Sequence, residues 1–70
     1  MKKEEFINWL EKEGWERLGE DDWRYLQNWP DTIYDYLEIE NDKVIFKYEN
    51  EDGYLESEEY GFESFIEFKN

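Results

Sequence analysis

The chain has no cysteine and no histidine, a single proline, four glycines, and only eight Lys or Arg against 21 Asp or Glu. Each shortage closes a class of function. Without Cys there is neither a disulfide framework nor a thiolate metal site. Without His or Cys, Ser57 and Ser64 have only carboxylates or Lys as candidate bases, so nucleophilic catalysis lacks its parts. Paired carboxylates serve glycosidases, but an acidic chain supplies such pairs by chance, and 70 residues cannot wall a deep sugar cleft. The expectation is a protein that is not an enzyme, with no catalytic residue, metal or cofactor. No apolar run approaches the roughly 18 residues of a membrane span. The start, Met1-Lys2-Lys3-Glu4-Glu5, lacks the apolar core of a signal peptide, so cytoplasmic residence without membrane contact is expected.

What is abundant is aromatic. Four Trp, six Tyr and five Phe make up 21% of the chain. A domain this short buries only about 60% of its unfolded surface. Each aromatic ring buries roughly 150–250 Å², so a few of them replace many aliphatic residues. High charge by itself argues for disorder, but 39% hydrophobic content built on these rings predicts one folded domain over residues 1–70. The net charge is −13, and both halves share it, with 10 acids and five bases in the first 35 residues and 11 and three in the last 35. Such a field repels nucleic acid and anionic membrane and speeds encounter with basic surfaces.

The pattern predicts an α+β fold. Phe6, Ile7, Trp9 and Leu10 form one stripe of a helix over 3–13, with Glu4 and Glu5 favoured in its first turn and Gly14 as its stop. The stretch 15–29 admits two readings. Asp21 or Asp22 caps a short helix carrying Trp23 and Leu26, or Gly19–Asp22 is the loop of a hairpin joining 15–18 to 23–26. The helix is the expectation adopted here. Trp29 ahead of Pro30 is expected to be extended. From Ile33 the period becomes two. A two-residue loop at Asn41-Asp42 sets Glu40 opposite Lys43, Ile39 opposite Val44 and Leu37 opposite Phe46. A second turn at Asn50–Gly53 sets Tyr48 opposite Leu55 and Lys47 opposite Glu56. The result is a three-stranded antiparallel meander over 33–40, 43–49 and 54–60. Phe62, Phe65 and Ile66 then predict a short C-terminal helix, although Phe68 also alternates with Ile66 as a strand would.

On that register the outward face of the sheet carries Glu38, Glu40, Glu56 and Glu58 beside Tyr36, Tyr54 and Tyr60. Asp42, Glu49, Glu51 and Asp52 form the rim, and Lys43 and Lys47 interrupt the ladder. Acids two apart on a strand are about 6.6–6.8 Å apart, close to every second phosphate of a DNA strand at roughly 3.4 Å spacing. Tyr among acids is interface chemistry. These eleven residues are the candidate partner-binding set. Aligning Gly53 with the glycine of a calcium loop brings Asn50, Asp52 and Glu59 to ligand positions, but Tyr48 falls where the first carboxylate is needed, so a polar hairpin loop is expected instead. Base stacking on the rings would need a basic groove, which this charge denies.

In its −13 charge, its run Glu49-Asn50-Glu51-Asp52 and its Glu56, Glu58 and Glu59, the whole chain resembles the small acidic proteins of phages. Some of these inhibit host defence nucleases by imitating DNA, the anti-CRISPR and anti-restriction proteins among them. The resemblance implies an inhibitor that occludes the basic nucleic-acid-binding surface of an enzyme in the host cell and does not itself bind nucleic acid. An immunity or antitoxin protein that neutralises a basic toxin, or an accessory acidic domain, would use the same charges.

Overall fold

The computed structural model describes residues 1–28 and 33–70. Phe6 and Leu10 lie one helical turn apart and are fully buried, and around them Lys3–Glu13 forms α1. Glu4 and Glu5 occupy its first turn and Lys12 its last, each where the helix dipole favours its sign. Gly14 ends the helix at φ 97°, a left-handed conformation that costs glycine least. Its N–H bonds the Glu11 carbonyl at 3.2 Å, and that of Trp15 bonds Leu10 at 3.0 Å. The reversal tucks Trp15 into the core.

The next stretch is a hairpin, so the expected second helix is corrected. β1 (Glu16–Arg17) pairs antiparallel with β2 (Asp22–Asn28), with Arg17 opposite Trp23. A helix would have put Trp23 and Leu26 on one face. In β2 they fall on opposite faces, with Trp23 buried and Leu26 exposed. The loop is held by Arg17, whose guanidinium donates to the carbonyls of Gly19 and Glu20 at 3.1 and 2.6 Å and lies 5.2 Å from the Trp23 ring centre. The expectation for Trp29 ahead of Pro30 lies outside the described residues.

β3 (Ile33–Glu40), β4 (Lys43–Glu49) and β5 (Leu55–Gly61) complete a five-stranded antiparallel sheet in the order β1-β2-β3-β4-β5. The meander thus has five strands and not three, because the stretch read as helix supplies two. The first predicted register is observed: Glu40 faces Lys43, Ile39 faces Val44 and Leu37 faces Phe46, across a turn in which Asn41 takes φ 58°.

The second register is off by one. Asn50 pairs with Tyr54, its N–H donating to the Tyr54 carbonyl at 2.8 Å, which leaves a three-residue loop, Glu51 to Gly53. Gly53 takes φ 84°, the left-handed residue that closes such loops. Tyr48 therefore faces Glu56, Lys47 faces Ser57 and Glu49 faces Leu55. A slip of one residue sends every β5 side chain to the other face.

α2 (Phe62–Lys69) starts directly after β5, and Phe62 and Phe65 are buried, so the C-terminal segment is helix and not a fourth strand of the expected meander. Both helices cover the same face of the sheet, where Trp23, Leu37, Ile39, Val44 and Phe46 are buried. Phe6 stacks on Phe62 at 4.7 Å, and Phe65 packs on Phe46 at 5.4 Å. Among the described residues no helix covers the other, bare face. No helix among the described residues is long and apolar enough to cross a membrane.

Candidate functional site

The turn after β4 is organised by one side chain. Asn50 Oδ1 accepts the backbone N–H groups of Asp52 and Tyr54, both at 3.0 Å, so the loop is closed by an Asn that mimics a backbone turn. From this turn β5 runs along the edge of the sheet. Between positions 49 and 59 the chain holds Glu49, Glu51, Asp52, Glu56, Glu58 and Glu59 and no Lys or Arg. None of the six has a cationic partner among the described residues.

Glu56 and Glu58 lie on the helix-bearing side of β5, opposite Tyr48 and Phe46. The Tyr48 hydroxyl is 2.9 Å from Glu56 Oε2 and 3.2 Å from Glu58 Oε1, so a single proton is shared between two carboxylates. Asn50 Nδ2 donates to the other oxygen of Glu56 at 3.2 Å, and the Tyr60 hydroxyl donates to Glu58. The phenol of Tyr48 is pushed up to about 12, first by its bond to Glu56, then by desolvation and by Glu58. Tyr60 is raised for the same kind of reason, with Glu58 as the partner. The two hydroxyls hold the carboxylates in fixed positions and leave their charge uncancelled.

Beside this edge lies a cleft of about 330 Å³ bounded by Asp35, Phe46, Tyr48, Glu58, Phe68 and Lys69. Asp35 is 2% exposed, with Lys69 Nζ 3.8 Å from its Oδ2. Burial pushes the Asp35 carboxyl up, against the opposing pull of Lys69.

The eleven expected residues do not share one face. Glu38, Glu40 and Tyr36 stand on the bare face, as expected. There each cation sits by an acid: Arg24 bonds Glu16 at 2.8 and 3.2 Å, Lys47 bonds Glu38 at 3.2 Å, and Lys43 faces Glu40. The Arg24 guanidinium holds the Glu16 carboxyl below its ordinary value, chiefly by hydrogen bonding. Glu56, Glu58 and Tyr60 leave this face for the opposite one, because of the shorter loop. Tyr60 is half-buried there, stacked on Phe68 at 5.0 Å. Tyr54 lies in the turn ahead of β5 and is exposed. Asp42 sits in the β3–β4 turn, at the other end of β4 from Glu49, Glu51 and Asp52 and about 20 Å away by strand length.

The edge therefore gathers Glu49, Glu51, Asp52, Glu56 and Glu58, and adds Glu59 from the bare side. Tyr48 and Asn50, which fix two of these acids, were outside the expected set. The sequence held no clear cue to them, because Asn50 to Gly53 suits a three-residue loop as well as the four-residue one assumed. Among the described residues no group of three or more acids is arranged to hold a metal ion. The side-chain oxygen of Asn50, a candidate calcium ligand by sequence, is occupied by the turn itself. Comparison with protein-family models, curated proteins and solved structures finds no match for this chain, so no role reaches these residues from a relative.

Proposed function

We propose that the chain is a non-enzymatic inhibitor that sets its β5 edge and the adjoining turn against the basic nucleic-acid-binding surface of a target enzyme, within the cell. The observation that carries this reading is the run of six carboxylates from Glu49 to Glu59 without a neutralising cation among the described residues. Phosphates are matched by charge at regular spacing, and Glu56 and Glu58 are about 6.6–6.8 Å apart along one side of the strand. Tyr54 and Leu55, 71% and 75% exposed, supply the apolar anchors that interface cores use. Two copies paired through this edge would set acids against acids, which disfavours self-association. A basic partner meets no such penalty.

The test begins with capture of a partner at low salt and its elution by salt, followed by measurement of the partner's nucleic-acid binding against increasing amounts of this protein. Glu56→Lys with Glu58→Lys is expected to abolish the inhibition, and raised salt to weaken it. Glu38→Lys with Glu40→Lys on the bare face, and Glu4→Lys with Glu11→Lys on α1, make the same change in net charge and are expected to retain most of it. Equal loss in all three pairs would mean that total charge acts and no surface does. If saturating protein leaves the partner's nucleic-acid binding untouched, mimicry fails and neutralisation of a basic toxin becomes the better reading.

A further inference from the structure

Away from the acidic edge, a second feature points to a ligand. Trp9, Glu13, Trp15, Tyr25, Lys69 and Asn70 line a cavity of about 230 Å³. Its aromatic walls are set by the fold. Gly14 turns the chain at the end of α1, which lays Trp15 against Tyr25 of β2 with ring centres 5.4 Å apart at 44°. A Cβ on Gly14 would stand 3.7 Å from the Tyr25 ring, in ordinary contact with it. Trp9 and Trp15 are both packed edge-on to Phe65, at 6.1 and 6.0 Å.

The electrostatics of this niche favour a cation on three independent grounds. The indole and phenol faces carry the negative lobes of their quadrupoles. The C-terminal ends of both helices, Glu13 of α1 and Lys69 of α2, converge on the cavity, and each helix end carries a partial negative charge. Glu13 adds a full carboxylate at the rim. Lys69 is the opposing charge, but its ammonium is engaged elsewhere, 3.8 Å from Asp35 and 4.6 Å from the Phe46 ring centre. The fold already places cations on rings this way, with Arg24 4.4 Å from the centre of Tyr34 and Arg17 over Trp23.

We infer that the Trp9–Trp15–Tyr25 niche binds an N-methylated ammonium head group carried on the side chain of a protein partner. A bare ammonium is compact and strongly hydrated, and its shell would be lost among the rings. Methyl groups thin that shell, keep the charge and fill a space several times the roughly 30 Å³ of one water. The chain's −13 charge selects a protein source of the same cationic character. Two strands, β3 and β4, lie between this niche on the β2 side and the β5 edge, so the inference does not rest on the inhibitory reading.

The test uses the intact protein and three small probes: the N-acetyl amides of Nε-trimethyllysine and of lysine, and the uncharged analogue in which carbon replaces the trimethylated nitrogen. The readout is the indole N–H resonance of Trp9 and Trp15, with buried Trp23 as the internal reference. The trimethyllysine amide is expected to shift Trp9 and Trp15 in a saturable way and leave Trp23 in place. The lysine amide and the uncharged analogue are expected to bind about 3- to 30-fold more weakly. Trp9→Leu is expected to weaken binding by a similar factor. Glu13→Gln, an exposed change that cannot disturb the core, is expected to weaken it a few-fold at low salt. Equal binding of the uncharged analogue would reduce the niche to an apolar hollow and overturn the inference. So would an unchanged affinity in Glu13→Gln together with Trp9→Leu, or the absence of any shift at probe concentrations up to about 0.1 M, the regime of affinities too weak for recognition. If free tetramethylammonium binds as tightly as the trimethyllysine amide, the side-chain source is wrong.

Discussion

Phe65 joins every layer of the molecule, and its removal separates a docked α2 from a loosely held one. The side chain is fully buried, and its ring lies within 5.4–6.2 Å of Phe6, Trp9, Trp15, Phe46, Tyr60 and Phe68. These six rings come from α1, the turn after it, β4, β5 and α2, so no single element can close over the gap left by truncation. Phe65→Ala is expected to cost about 3–5 kcal/mol, the range for a buried Phe whose site cannot collapse. A 70-residue domain has a total stability of roughly 4–10 kcal/mol, so the variant is expected to be largely unfolded near its former midpoint. At about 4–8 °C per kcal/mol, Tm falls by at least about 12 °C. Phe68→Ala, one turn away and 51% exposed, is the control and is expected to cost about 1–2 kcal/mol. Urea unfolding followed by tryptophan fluorescence and far-UV circular dichroism gives both values. A loss in Phe65→Ala no greater than in Phe68→Ala would refute the packing of α2 against the sheet.

Asp35 should make stability depend on pH. Its folded pKa is raised by burial, so its contribution is fully present below the ordinary value of 3.8 and is lost as pH rises through the folded value. Asp35→Asn is therefore expected to gain on the native protein between about pH 3 and pH 7 in urea midpoints, and a gap that narrows with rising pH would refute the sign. Tyr48 is expected to ionise near 12, by phenolate absorbance in the native protein compared with Tyr48→Phe. Glu56→Gln with Glu58→Gln should return it toward 10.0, and no change would mean that the hydroxyl is not shared between the two carboxylates.

The parts of the fold that were legible in the sequence are those where two signals agreed. α1 had both an apolar stripe and a glycine stop, and the β3–β4 hairpin had a turn whose register paired apolar with apolar and Glu40 with Lys43. Phe46 was legible as core for that reason, and Ile45 as its outward neighbour. Residues 15–28 offered Trp23 and Leu26 at a helical spacing, but Tyr25, two residues after Trp23, belongs to the same buried side, and it packs on Trp15. That contact joins residues ten apart, and no local pattern contains it. At Asn50–Gly53 the composition announced a turn without fixing its length. A three-residue loop with glycine left-handed and a four-residue loop use the same letters.

That single residue of loop length decides where the charge goes. In the expected register Glu56 faces Lys47 and is neutralised on the bare face. In the observed one Lys47 faces Ser57 across one strand boundary and bonds Glu38 across the other. Glu56 turns to Tyr48, a neutral donor that orients a carboxylate without cancelling it. The bare face then holds Arg24, Lys43 and Lys47 interleaved with acids, and the β5 edge holds acids alone. Ion pairs on an exposed face are worth little, but they make its field short-ranged. An edge whose acids have no counter-ion among the described residues projects its field farther than the paired face does.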